Sequence, residues 1–227
     1  MKNEWYGDNR DLVKWGVLLH LASDYGTEEI IQVAYSRRST WHALEIDGKD
    51  RPLPIDVIRH FRELRNVTKL VRKPKIKVLN TTFSDRRRYM RTIMDAIAAH
   101  RGKRRIIFLD PDTGLAPQNP TLTHVLTAEL AEIWRHMRSG DVLVFYQHQT
   151  NRNGTPWIEP KRKQFESALG LPKGTAKLAR GSAIARYVVF FYCLHNTFYL
   201  SIFIQASSTA CFACSIVAYL PIGIILI

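Results

Sequence analysis

Residues 106–115 read Ile106-Ile107-Phe108-Leu109-Asp110-Pro111-Asp112-Thr113-Gly114-Leu115: an unbroken apolar run, then an acid, a proline, a second acid and a glycine. A continuous β-branched and aromatic run bounded by turn residues is the pattern of a strand buried on both faces. Such strands belong to parallel sheets covered by helices on each side, so this stretch predicts an α/β fold. It also places two carboxylates just past a strand's C-terminal end, where ligands bind in open α/β sheets.

Working outward, the same alternation recurs. Residues 30–36 (IIQVAYS), 76–80 (IKVLN), 142–146 (VLVFY) and 184–192 read as further strands. Between them, apolar residues at helical spacing predict helices over 9–24, 55–66, 84–102, 123–138 and 160–169. Asp8, Asn9 and Asp11 supply the first of these with capping and first-turn acids, and Pro54 suits the first position of the second. Strands and helices alternating at this interval predict right-handed crossovers. The expected fold class is a single Rossmann-like, three-layer α/β domain with a mostly parallel sheet of about five strands.

Composition divides the chain in two. There are 227 residues, with 33 Lys+Arg against 20 Asp+Glu and a formal net charge of +13. At 23% charged and 46% hydrophobic the chain is neither disordered nor, with 3 cysteines, a disulfide scaffold. Arg186 is the last charged residue, so the final 41 residues carry no formal charge, and Cys193, Cys211 and Cys214 all lie there. The expected division is an α/β domain over 1–192 and a hydrophobic tail over 193–227. In one reading Val188 to Tyr192 is the last buried strand and the remainder is non-native sequence, such as an out-of-frame end. In a second, the runs 187–204 and 209–227 anchor the chain in a membrane, since each approaches the roughly 20 residues that a span needs. In a third the tail is a buried extension. Cys211 and Cys214 have redox spacing but no basic neighbour to activate them. No signal peptide is legible, because Glu4, Asp8 and Asp11 break any apolar stretch. The expected location is cytoplasmic, or membrane-associated if the tail is native.

Three junctions concentrate chemistry: Ser36-Arg37-Arg38 after the first strand, Asp110 to Leu115 after the third, and Gln147-His148 after the fourth. Pro111 fixes φ so that Asp112 projects from a rigid turn, and Gly114 permits a reversal or a close approach. Asp110 and Asp112 are the candidate catalytic acids and could hold Mg²⁺ through oxygen ligands. His148 is the candidate base or hydrogen-bond donor. Against this stands the ordinary turn chemistry of Asp-Pro and Asp-Thr-Gly. His20, His60, His100, His124 and His136 have no second ligand at metal spacing and read as structural.

The segment Gly7 to Gly16 (GDNRDLVKWG), the central FLDPDTGL and the later YQH resemble a family of uncharacterised bacterial and phage proteins, whose members pair a GD…D…K.G helix with DPD.GL and YQH motifs. The resemblance spans most of residues 5–186. It implies a Rossmann-like fold and singles out Asp8, Asp11, Lys14, Asp110, Asp112, Gly114, Gln147 and His148. The DPD turn is also similar to the D/N-P-P-Y/F motif of nucleic-acid methyltransferases, in which the acid or amide and a backbone carbonyl hold the target amine. That likeness implies S-adenosylmethionine as cofactor. Asp112 and Thr113 depart from it, and no glycine-rich loop follows the first strand. A D-x-D-G-T phosphatase motif fails because Thr113 precedes Gly114.

Basic clusters at Arg72 to Lys77, Arg86-Arg87-Arg88-Arg91, Arg101 to Arg105 and Lys161 to Lys163 favour a polyanionic partner. Arg37, Arg38, Arg86, Arg87 and Arg88 are the candidate phosphate contacts, and Trp5, Tyr6, Trp15, Trp41 and Trp157 could stack on bases. The sequence therefore predicts an enzyme acting on a nucleic acid or nucleotide, either methyltransferase-like or metal-dependent. Two alternatives remain: a non-catalytic nucleic-acid-binding protein on the same frame, and an effector tethered to a membrane through the tail.

Overall fold

The computed structural model describes residues 9–37, 43–52, 54–57, 64–99, 102–151, 154–181 and 183–196. It divides the chain into a unit ending at Asn196 and a second over Thr197–Ile227. The whole second unit lies outside the described residues, as do Asp8, Arg38, Trp5, Tyr6, Trp41, Cys211 and Cys214.

Helix α1 (Asn9–Asp24) turns Val13, Leu18, Leu21 and Ala22 inward. Strand β1 (Glu29–Val33) follows and is buried along its length. A hairpin of β2 (Ala43–Ile46) and β3 (Lys49–Pro52) comes next. It reverses at Asp47-Gly48 with φ of 53° and 71°, the left-handed pair that Asp-Gly accepts in two-residue hairpin loops. Of the helix expected over 55–66, residues 55–57 are helical, 58–63 lie outside the described residues, and Leu64–Lys69 form a 3-10 helix. Strand β4 (Lys75–Leu79), helix α2 (Arg86–Ala99), strand β5 (Arg105–Leu109), and the short pair β6 (Gly114–Leu115) and β7 (His124–Val125) come next. Helix α3 (Thr127–His136), strand β8 (Val142–His148), helix α4 (Ile158–Leu169), and strands β9 (Lys177–Ala179) and β10 (Val188–Leu194) complete the body.

The main sheet has six strands in the order β4-β1-β5-β8-β10-β9. β4, β1, β5 and β8 are parallel, and β10 runs antiparallel between β8 and β9. One strand is thus added to the expectation, the short edge β9. The fifth expected strand is shifted to Val188–Leu194, so Cys193 pairs with Leu143 inside the sheet and is buried. Among the described residues no helix is long and apolar enough to cross a membrane.

Strand alternation sends successive side chains to opposite faces. Ile31, Val33, Ile107, Leu109, Leu143 and Phe145 meet α2, α3 and α4 on one face. Ile30, Ile106, Phe108, Val142 and Val144 meet α1 and Val67 of the 3-10 helix on the other. Fully burying a phenylalanine such as Phe108 stabilises by about 1.5–3 kcal/mol.

At the N-terminal ends of the strands, the fully buried Arg105 is held by Asp141 at 2.9 Å and donates to the Ile97 carbonyl at 2.8 Å. Asp141 also accepts from the Arg138 amide. This pair ties β5, the start of β8 and the end of α2 together.

Candidate active site

The chain passes from β1 to β4 on one side of the sheet and then to β5 on the other, so the strand order reverses between β1 and β5. A crevice outside the carboxyl ends of these two strands is where an open α/β sheet binds its ligand. Four polar side chains are buried there. Asp11 and Lys14 lie three residues apart, hence on one face of α1, and that face points at the sheet. Asp110 begins where β5 ends, with its amide bonded to the Val33 carbonyl at 3.0 Å. Gln32 stands on β1 in register with Phe108.

The Lys14 ammonium donates to Asp11 Oδ1 at 2.6 Å and to Asp110 Oδ2 at 2.9 Å. Gln32 Nε2 donates to the same Asp110 oxygen at 2.8 Å. Exposure is 6% for Asp11, 3% for Lys14, 1% for Gln32 and 2% for Asp110. Lys14 also sits over the Tyr146 ring, 5.7 Å from its centroid, and so draws α1, β5 and β8 together. Burial pushes the Asp110 carboxyl above its ordinary pKa, and the Lys14 charge opposes that rise without cancelling it. Burial alone would lower the lysine, but Asp110 and Asp11 outweigh it and keep the ammonium charged. The directions agree physically: among the described residues one ammonium is shared by two carboxylates, so the second negative charge is the costly one.

Asp112 projects from the same turn toward a different partner, the Arg37 guanidinium just past β1, and this ion pair joins the segments that follow β1 and β5. Asp110 and Asp112 therefore face separate cations of the protein. As a bidentate Mg²⁺ site they do not fit, and among the described residues no group of three or more His, Cys, Asp or Glu side chains gathers at metal-binding distance.

Gln147 has a role other than the expected one. Its Oε1 accepts from the Leu115 amide at 2.9 Å, and its Nε2 donates to the Thr113 and His148 carbonyls at 3.2 and 2.7 Å. With 0% exposure it contacts backbone, fixing the turn rather than a substrate. Gly114 is required by this arrangement: its φ is 128°, and a Cβ there would lie 2.4 Å from the Gln147 amide. His148 is half-buried, its amide donating to Thr113. Its Nδ1 donates to the Gln149 carbonyl at 2.9 Å. Leu109 is in register with Phe145, so His148 lies roughly 7 Å farther along the sheet than the level of Asp110.

Of the candidate phosphate contacts, Arg86 is engaged within the body. It meets the Glu129 carboxylate at 2.9 Å and the Thr121 and His124 carbonyls at 2.6 and 3.1 Å. Arg87 and Arg88 are exposed. Gln32, absent from the sequence expectations, completes the cluster through Asp110. Its signal was a lone polar residue in the otherwise apolar core of a buried strand, and its Oε1 is buried without a hydrogen-bond partner. Tyr35 is likewise absent from them. It takes a positive φ of 46° just after β1, and its ring packs against Phe83 and Tyr89 at 5.1 and 5.2 Å.

Sheet and site together define a Rossmann-like α/β protein with a buried, charged constellation at the strand-order reversal. No protein-family model and no curated protein matches the sequence. Among solved structures, a provisionally assigned methyltransferase from Thermobifida fusca YX is similar at 11% identity and a TM-score of 0.40, over 83% of this chain and 80% of that one. A DUF574 family protein from Streptomyces avermitilis MA-4680 is similar at 9% identity and a TM-score of 0.38, over 83% and 82%.

Proposed function

We propose that the protein is an enzyme acting on a nucleotide or nucleic acid, built on a methyltransferase-like frame, with its reacting group brought to Asp110 in the β1/β5 crevice. The observation that carries the reading is the burial of Asp11, Lys14, Gln32 and Asp110 together at that point. Desolvating an ion costs several kcal/mol, and a core of Ile and Phe needs none of these groups. Perturbed titratable groups cluster at working sites, and this cluster stands at the carboxyl ends of the strands, unlike the structural Arg105–Asp141 pair at their amino ends. Both donors converge on Oδ2 of Asp110, and a substrate N–H or O–H would be received at its Oδ1. Gln32 and Lys14 hold the carboxyl in place, and Arg37 with Asp112 forms the wall between the two strands.

S-adenosylmethionine, the cofactor such a frame implies, meets no glycine-lined cradle after β1. Ser36 and Arg37 stand there, and the turn is made by Tyr35 with its ring committed to the aromatic cluster. The residues do not fit a glycine-loop mode of binding. The test is thermal shift of the full chain with mononucleotides, short RNA and DNA, and S-adenosylmethionine, followed by an activity screen of any stabilising ligand with Asp110→Asn. A ligand at 100 times its dissociation constant stabilises by about 2.7 kcal/mol. Turnover that survives Asp110→Asn unchanged rejects the reading.

The glycine-free loop favours a second reading, nucleic-acid binding without chemistry through Arg87, Arg88 and their neighbours. It predicts salt-sensitive binding that is indifferent to Asp110→Asn.

A further inference from the structure

We propose that the cleft between residues 116–120, α3 and α4 is a binding site for a small oxyanion, a phosphate or carboxylate group held by Lys161. The cleft measures about 580 Å³ and is lined by Lys161, Gln164, Gln118 and Thr127, with Pro117 and Leu126 as apolar walls. The Lys161 ammonium donates to the Leu115 carbonyl at 3.1 Å and to Gln164 Oε1 at 2.9 Å. Gln164 Nε2 in turn donates to the Ala116 carbonyl at 2.8 Å, so the amide is fixed with its oxygen toward the lysine. An ammonium has three donors, and these contacts use two.

What sets Lys161 apart is its lack of a counter-charge. Lys14, Arg37, Arg86 and Arg105 each face a carboxylate. Lys161 is half-buried, and among the described residues no carboxylate lies within ion-pair distance of it. Burial lowers its pKa with nothing to offset the loss. Its charge is also felt by His124, whose pKa is lowered first by burial and then by Lys161. The one carboxylate in the first turn of α3, Glu129, is taken up by Arg86 at 2.9 Å and by the Leu126 amide at 2.9 Å. A desolvated cation facing an open cleft without an anion is a site that an anion completes. Hydroxyl and amide donors from Thr127 and Gln118 beside it suit the several lone pairs of an oxyanion.

This site is independent of the chemistry at Asp110. The test uses the full chain at constant ionic strength, with inorganic phosphate, acetate, AMP and adenosine as probes. The readout is protection of the Lys161 amine from acetylation, followed by peptide mass spectrometry. Phosphate and AMP are expected to slow its modification at least tenfold at saturation, and adenosine to leave it unchanged. Protection by acetate alone keeps the site and makes its ligand a carboxylate. Lys161→Met should weaken AMP binding at least tenfold, whereas Lys163→Met, on the exposed side of α4, should not. Unaltered modification with phosphate, acetate and AMP overturns the proposal, as does equal protection by adenosine. If Lys161→Met fails to fold, the protection measured on the unmodified chain decides alone.

Discussion

Lys14 is the residue on which the crevice depends. Replacing it with Met keeps the stem but leaves Asp11 and Asp110 buried beside each other without their shared cation. Removing one partner of a buried pair costs about 3–5 kcal/mol, so urea unfolding of Lys14→Met should show a loss of that size near neutral pH. The loss should shrink as the solution is acidified. Asp110 is already pushed toward its protonated form in the folded chain, and acid neutralises the charge that the missing lysine leaves exposed. A penalty that stays constant from pH 7 to pH 4 argues against the pairing. Gly114 gives a second, purely steric test. Gly114→Ala would place a methyl group 2.4 Å from the Gln147 amide at a φ of 128°. Strain at such a φ is about 1–3 kcal/mol before any clash is counted, so the variant should lose at least that in a denaturant titration. Equal stability of the two proteins contradicts the lock.

Among the elements, β5 was the most legible in the sequence. Its unbroken apolar run became a strand buried on both faces, with Asp110 directly after it. The spacing of Asp11 and Lys14 on one turn was equally readable, although nothing local indicated that their charged face points inward while Leu12 is 65% exposed. Their partner lies 96 residues away, and a pattern within one helix carries no information about it. Gln147 misled because a polar residue after a strand reads the same whether it faces a ligand or the backbone. The Asp47-Gly48 hairpin had its usual dipeptide, but no apolar alternation flanks it: β3 is exposed throughout.

The strand ends opposite the crevice carry two predictions. Arg105→Met should destabilise by about 3–5 kcal/mol, while Arg105→Met with Asp141→Leu should recover most of the loss; a double-mutant cycle by urea unfolding measures the difference. His195 follows β10 with its amide on the Asp141 carbonyl at 2.7 Å. Burial lowers its pKa below the ordinary histidine value against the pull of Asp141. The unfolded chain takes the proton first, so stability holds above about pH 6.5 and falls as pH drops toward the lower folded value. His195→Phe should flatten that part of the curve, and an unchanged slope would show the ring to be uninvolved.

For the whole molecule, the relevant quantity is the excess charge of +13, all of it borne by the first 186 residues. If the proposed nucleic-acid partner is bound through Arg87 and Arg88, affinity should fall linearly with salt on logarithmic axes. Arg87→Ala with Arg88→Ala should then flatten the slope by roughly 1.8 for a duplex, at about 0.9 per lost contact. Fluorescence anisotropy across a salt series reads it directly. An identical slope moves the contact elsewhere on the surface.

The long separation between Lys14 and Asp110 also sets a schedule for synthesis. At roughly 5–20 residues per second, α1 leaves the ribosome about 5–20 s before Asp110 does. A helix whose inward face holds an acid and an amine therefore meets β1 and β4 before the strand that supplies its distant carboxylate. The cluster is completed by the middle of the chain acting on its beginning, and a nascent protein halted before β5 holds Asp11, Lys14 and Gln32 without the carboxylate that joins them.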